Sequence, residues 1–438
     1  MWMGPDTEIP LATTCLLPRL SRSLAILSIQ CMPTAVGLNY ARKILAGARL
    51  KPADRMKGIQ PSSTLNVLGL AKELERHGKK VIHMEVGEPD FDTPTHIKKA
   101  AEEALARGMT KYTSSLGMPE LREAIAEHLK TKGIDTEMKN VIVTPGAKHA
   151  IFCAMAAALD PGDEVVIPSP CWTYEAMVRI VGGKPVFVKT ARKNGFKLEV
   201  EEVQKVLTPK TKMLLLNYPN NPTGAVMEGD ELRPIVDLAV DRKLWVISDE
   251  IYDSLVYKGK HASLLSFPEM VGRTVYINGF SKVYSMTGWR LGYAVAPAEL
   301  VAEMNKIQQA STSCPASFVQ SAGVAALRGP QDFTEKMRRE FQKRRDEIVK
   351  GLNSIDGVDC PKPGGAFYVF PSIEKLNIPS LEFCEVLLRK ADVAAVPGSG
   401  FGPYGEGHVR FSYATSMENI KEVVKKIKEV VGDLRTRK

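Results

Sequence analysis

The chain has 438 residues, 25% charged and 44% hydrophobic, with 34 glycines and 28 prolines. That length holds two or three domains, and that mixture excludes collagen-like and low-complexity chains. The formal net charge is +9, but Lys and Arg alternate with Asp and Glu, as on a solvated surface that favours small anions and not as a nucleic-acid footprint.

Residues 1–55 stand apart. They carry seven basic residues against three acids, Asp6, Glu8 and Asp54, a net of +4. We read them as a disordered extension or a mis-called start, with translation beginning at Met32 or Met56. An organelle transit peptide ranks second and a secretion signal last. The longest apolar stretch, 24–38, is interrupted by Gln30, Pro33 and Thr34, so no membrane span or membrane partner is expected. The cysteines at 15, 31, 153, 171, 314, 360 and 384 show no C-x-x-C pair. Neither a disulfide framework nor a metal site follows, and a reducing, cytoplasmic compartment is expected.

From Ser62 onward the text is periodic. Leu65–Arg76 reads as an amphipathic helix and Val81–Val86 as a short strand. Helices follow at Thr95–Ala106 and Pro119–Lys132, then strand Val141–Thr144 and a long apolar helix, Ala147–Ala158. Strand and helix then alternate: strand Glu164–Pro168, helix Tyr174–Val181, strand Lys184–Lys189, helix Val200–Val206, strand Met213–Asn217, helix Asp230–Arg242, then strands Leu244–Asp249 and Thr274–Gly279. A very long helix is predicted over Pro330–Asp356. After it come strand Ala366–Phe370, helix Leu381–Lys390, strands Val393–Val396 and Val409–Ser412, and a closing helix Met417–Leu434. Apolar strands spaced by helices predict an α/β fold with a mostly parallel sheet covered on both faces. We divide the chain into an extension (1–55), a large domain (106–330), and a smaller α/β domain built from both ends (56–105 and 331–438).

Four turn-rich segments fall at carboxyl ends of predicted strands, where open α/β sheets bind ligands. Thr144-Pro-Gly-Ala-Lys148 opens a helix whose free N–H groups suit a phosphate; alone, it is an ordinary turn. In Ser248-Asp-Glu-Ile-Tyr252 an acid follows a buried strand and needs a partner, either a cofactor cation or a local salt bridge. Asn217-Tyr-Pro-Asn-Asn-Pro-Thr-Gly224 is a tight loop rich in amides. In Gly279-Phe-Ser-Lys282, followed by Arg290 and Gly292, a buried lysine loses its charge readily and can form a Schiff base.

Together with Val86-Gly-Glu-Pro-Asp-Phe, Tyr112-Thr, Pro170-Cys-Trp172, Pro363-Gly-Gly-Ala-Phe-Tyr and Val409-Arg410-Phe-Ser, these segments resemble the class I/II aminotransferases of fold type I, which use pyridoxal 5′-phosphate. The resemblance runs from about Met56 to the C-terminus and is nearest the bacterial and archaeal aspartate aminotransferases. It implies a seven-stranded large-domain sheet. It implies that Lys282 holds the cofactor as a Schiff base and moves the substrate proton. Asp249 would keep the ring nitrogen protonated, Asn221 and Tyr252 would bond the phenolic oxygen, and Trp172 would stack on the ring. Arg290, the helix start at Ala147 and Lys148, and Ser281 would hold the phosphate. Some relatives place a phosphate-binding serine where Gly279 stands. Tyr112 would reach the phosphate of a neighbouring subunit, which implies a homodimer with composite sites.

Arg410 would clamp the substrate α-carboxylate, with Gly87 contributing backbone, and Lys148 would take the distal carboxylate of an acidic substrate. The expected activity is ping-pong transamination between aspartate and 2-oxoglutarate or oxaloacetate. Other specificities on the same frame (alanine, aromatic, prephenate) or a lyase reaction are the alternatives. A ligand-sensing regulator would need a DNA-binding domain ahead of the core. Residues 1–55 hold Pro5, Pro10, Pro18, Pro33 and Pro52 and no helix-turn-helix pattern, so no nucleic-acid partner is expected.

Overall fold

Strands apolar on both faces build the main sheet of the computed structural model, which describes residues 51–436. The readings for residues 1–50, including Cys15, Cys31 and the 24–38 stretch, lie outside the described residues. In chain order the strands are β1 (Ile82–His83), β2 (Val141–Thr144), β3 (Glu164–Ser169), β4 (Lys184–Lys189), β5 (Thr211–Asn217), β6 (Trp245–Asp249), β7 (Thr274–Gly279), β8 (Gly292–Val295), β9 (Tyr368–Val369), β10 (Val393–Ala394), β11 (Val396–Pro397) and β12 (Val409–Ser412). The main sheet has seven strands in the order β2-β8-β7-β6-β5-β3-β4. β8 runs antiparallel to both β2 and β7, and the remaining pairs are parallel. Successive residues of β5 go to opposite faces: Met213 and Leu215 join one core cluster, Leu214 and Leu216 another. Covering helices on both faces make an unbroken apolar strand stable.

Between Gly292 and Arg328 the sequence reading assigns no element, yet β8 and two helices, Ala298–Ser311 and Ser317–Arg328, occupy it. Their buried faces interleave apolar residues, Leu300, Val301, Met304 and Val319, with small and amide ones. The first buries Gln308, whose amide donates to the Val143 carbonyl at 2.9 Å. The second buries Ala322, Gly323 and Ala326, because a Cβ on Gly323 would lie 2.7 Å from Leu291. Close packing selects small residues at those points and interrupts the apolar period.

The chain ends meet in two small sheets, β1-β10 and β11-β12-β9. The predicted single strand Val393–Val396 is therefore two: β10 pairs with β1, and β11 pairs with β12. Helix Asp332–Asn353 buries Met337, Phe341, Ile348 and Leu352 along one stripe and packs on helix Met417–Thr436, which buries Ile420, Val423, Ile427 and Val431. Helix Thr95–Ala106 lies elsewhere: Ile97 and Ala101 cluster with Leu121, Ile125 and Val319 beside the main sheet. Among the described residues no helix is long and apolar enough to cross a membrane.

Candidate active site

The carboxyl ends of β2, β5, β6 and β7 share one edge of the main sheet. β8 runs the other way, so its amino end, just after Arg290, arrives at the same edge. Two glycines permit the crowding this produces. Gly146, at φ 86°, turns β2 into helix Ala147–Ala158, and a Cβ there would lie 2.6 Å from Arg290 Nη2. A Cβ on Gly292 would collide with the backbone of Gly146 and Ala147. The guanidinium thus rests on bare backbone beside a helix N-terminus, braced by its Nη1 donating to the Thr287 carbonyl at 2.8 Å. A guanidinium beside the unpaired first amides of a helix is a cradle for an anion.

Asp249 ends β6 and is 5% exposed. Tyr174 Oη donates to its Oδ2 at 2.7 Å. Burial pushes its pKa up to about 6, even though the Tyr174 hydroxyl and the Ile251 amide pull it down. Asn217, at the end of β5, donates to the Asp249 carbonyl at 2.9 Å and accepts from the Asn221 amide at 2.9 Å. One side chain thereby ties the acid to the amide-rich loop.

Lys282 Nζ donates to the Gly87 carbonyl. Burial pulls its pKa down to about 8, against the opposing pull of Glu88. Arg410, on β12, is 2% exposed. Its Nη1 donates to Asn221 Oδ1 at 3.1 Å and its Nη2 to the Glu85 carbonyl, which draws the segment after β1 out of a regular ladder. That is why only Ile82–His83 of the predicted Val81–Val86 strand is paired. Arg410 lies 4.7 Å and 5.1 Å from the ring centres of Tyr368 and Phe401, and its buried Nε has no partner. The Tyr252 and Tyr368 hydroxyls lie 2.8 Å apart, and burial lifts Tyr252 well above the usual phenol range, so it stays an uncharged donor. Lys148 Nζ sits 4.5 Å from the Trp172 ring centre. Burial, then Arg290, lowers its pKa.

Gly87, Ala147, Lys148, Trp172, Asn221, Asp249, Tyr252, Ser281, Lys282, Arg290 and Arg410 all line one cavity of about 270 Å³. Tyr112 does not. It is 88% exposed and lines a separate open groove with Gln309 and Cys314. Among the described residues, Asp249 is the lone carboxylate lining the cavity, against four cations: Lys148, Lys282, Arg290 and Arg410. None of the four makes an ion pair among the described residues. Such a wall suits a ligand set with several negative charges.

Sequence reasoning did not assign roles to Tyr174, Asn217 or Tyr368. Asn217 and Tyr368 lie inside motifs it had singled out, and Tyr174 was read only as a helix start. Ser62, Thr64 and Leu65 also line the cavity. Nothing in their helical period signals that.

Residues 79–427 match the family described as Aminotransferase class I and II. The chain is 44% identical over 398 residues to an aspartate aminotransferase of Rhizobium meliloti, covering 87% of this chain and 96% of that protein. It is 43% identical over 387 residues to aromatic-amino-acid aminotransferase 2 of Thermococcus litoralis, covering 87% and 98%. Among solved structures, the aspartate aminotransferase of Thermus thermophilus with maleate aligns at a TM-score of 0.84 and 41% identity, covering 87% of this chain and all of that one.

Proposed function

The chain belongs to the class I and II aminotransferases, which work with pyridoxal 5′-phosphate, and from that premise we propose that its cavity transfers the amino group between aspartate and 2-oxoglutarate or oxaloacetate. The observation that carries the substrate choice is the set of four unpaired cations around one acid. The cofactor's phosphate needs one cation and the substrate's α-carboxylate another. Lys282 is the covalent anchor. That leaves Lys148 for a second substrate carboxylate.

The donor set fits the cofactor. Arg290, Ser281 and the first turn at Ala147 and Lys148 surround the bare-backbone cradle at Gly146. Asp249 offers a buried carboxylate to a ring-nitrogen cation. Tyr252, uncharged, and Asn221, whose oxygen is already taken by Arg410, leave donors for a phenolic oxygen. Trp172 supplies an aromatic face. When bound, pyridoxal phosphate supplies an electron-withdrawing ring that makes the substrate Cα–H acidic. Lys282 Nζ then takes that proton, Arg410 fixes the α-carboxylate with Gly87 beside it, and the walls exclude water.

A homodimer is part of the proposal. Exposed Tyr112, outside its own cavity, can serve a phosphate only in a second copy. So are cytoplasmic residence and closure of a smaller domain, carrying Arg410, over the acid substrate. The direct test is the visible spectrum of protein reconstituted with pyridoxal phosphate. A yellow band that bleaches with aspartate and returns with 2-oxoglutarate is expected. A protein that stays colourless, or that releases ammonia or CO₂ without a paired oxo acid, overturns the reading.

Two further results are expected. Lys148→Ala should lower kcat/KM for aspartate by about 10- to 100-fold, the worth of one charge-assisted contact, and change phenylalanine turnover less than threefold. Equal losses on both substrates would remove Lys148 from specificity. Acidification should release the cofactor. Below about 6 Asp249 takes up a proton in the cofactor-free protein and loses the charge that holds a ring cation. Retention of pyridoxal phosphate through gel filtration should therefore fall as pH drops through that value. In Asp249→Asn, retention should be poor at every pH.

A further inference from the structure

Arg410 is held from behind by a segment that the transfer reaction does not use. The Glu85 carbonyl accepts from its Nη2, and the Met84 carbonyl accepts from the Ser412 amide, on the same strand, at 2.7 Å. Glu85 is fully buried. Its Oε1 lies 2.7 Å from His83 Nδ1, and its Oε2 has no partner. His83 Nε2 lies 3.0 Å from Oε1 of Glu75. Glu75 belongs to helix Ser63–Arg76, whose first-turn residues Thr64 and Leu65 line the cavity. His83 ends β1 and Glu85 lies two residues on, and their side chains meet. Protonated, the imidazole donates from both nitrogens and neutralises a carboxylate that has no access to water.

We propose that Glu75, His83 and Glu85 form a positioning relay for Arg410, so that affinity for the substrate α-carboxylate is high while His83 is protonated and falls as it loses the proton. With His83 neutral, Glu85 is a buried carboxylate without that cation, and its attraction for Arg410, already held by the Glu85 carbonyl, draws the guanidinium from its task. Glu85 already acts on Arg410 electrostatically. The Glu85 hydrogen bond, opposed by partial burial and helped by Glu75, raises the His83 pKa above its ordinary value. The proton is therefore held to higher pH than on a free imidazole and is lost as pH rises. Two cations lie on the packed elements: Lys72 pairs with the relay's own Glu75, at Oε2, at 2.8 Å, leaving Oε1 to His83, and Lys79 lies 3.8 Å from Asp392. The inference rests on Arg410 being the carboxylate clamp.

The test uses the reconstituted holoenzyme. Maleate, an unreactive dicarboxylate, is titrated between pH 6 and 9, and KM and kcat for aspartate are measured alongside. In His83→Gln, the maleate Kd and aspartate KM should rise about fivefold near pH 6.5 and lose the alkaline rise of the wild type, with kcat changed less than twofold. Glu75 is partly exposed, so Glu75→Gln keeps the fold and decides the matter if the histidine variant does not fold. It should shift the alkaline rise to lower pH. Profiles of both variants that superimpose on the wild type, or a loss in kcat at unchanged KM, overturn the relay. Arg410→Lys runs in parallel. If it leaves maleate affinity unchanged, the clamp reading fails. If it weakens maleate while the relay variants do not, the relay alone fails.

Discussion

Lys282→Ala is expected to slow the half-reaction with aspartate by about 10³- to 10⁴-fold, the usual worth of a positioned proton-transfer group. Its fold should survive. The side chain is a desolvated amine with one hydrogen bond, to the Gly87 carbonyl, and removing a group that is costly to bury does not unfold a protein. Thermal melting should therefore match the wild type, and single-turnover absorbance with aspartate reads the chemical step apart from stability. The variant should also bind pyridoxal phosphate without covalent retention through denaturation. A related pH result has a definite sign. Only the neutral amine captures an aldehyde, and burial places the amine near 8. Capture of free cofactor by the cofactor-free wild type should accelerate up to about that pH and then level off. A Lys282→Ala protein that transaminates at near wild-type rate would remove this residue from the centre of the reaction.

How legible this site was in the sequence depended on whether each residue's task was local. Asp249 closes an otherwise buried strand and Glu250 follows it, so an acid pair at that point stands out. Lys282 and Arg290 sit in a Gly-punctuated segment because the backbone of β8 passes against Gly146. Where the task was to meet a distant element, the text was silent. Tyr174 reaches Asp249 across 75 positions and Tyr252 meets Tyr368 across 116, and neither pairing leaves a period or a motif. The fold divides the same way. β2, β7 and β12 match their predicted spans because their residues are buried on both faces, and the half-buried edge strand β4 matches as well. The Val393–Val396 run is one apolar string that serves two sheets, and nothing local marks the switch at Ala395. The helices from Ala298 to Arg328 escaped because buried Gln308, Gln320, Ala322 and Gly323 interrupt their apolar stripes, which weakens the contrast that a helical period relies on.

The second large effect is expected at Arg410. Arg410→Leu should raise KM for both aspartate and 2-oxoglutarate by about 10²- to 10³-fold, since both present an α-carboxylate and a charge-assisted pair contributes roughly 1.5–3 kcal/mol per hydrogen bond. Arg410→Lys should recover only part of this. Lysine keeps the charge but lacks the planar fork that here spans Asn221 Oδ1 and the Glu85 carbonyl while leaving Nε unpartnered. The contrast with Lys148 makes the assignment strict. Arg410 should matter to every amino and oxo acid, and Lys148 only to those with a second carboxylate. Because each cation holds a different end of the substrate, the losses in the double variant should add in free energy to within about 0.5 kcal/mol. An Arg410→Leu enzyme with aspartate KM within twofold of the wild type, or one that loses dicarboxylates while sparing phenylalanine, would reverse the two assignments.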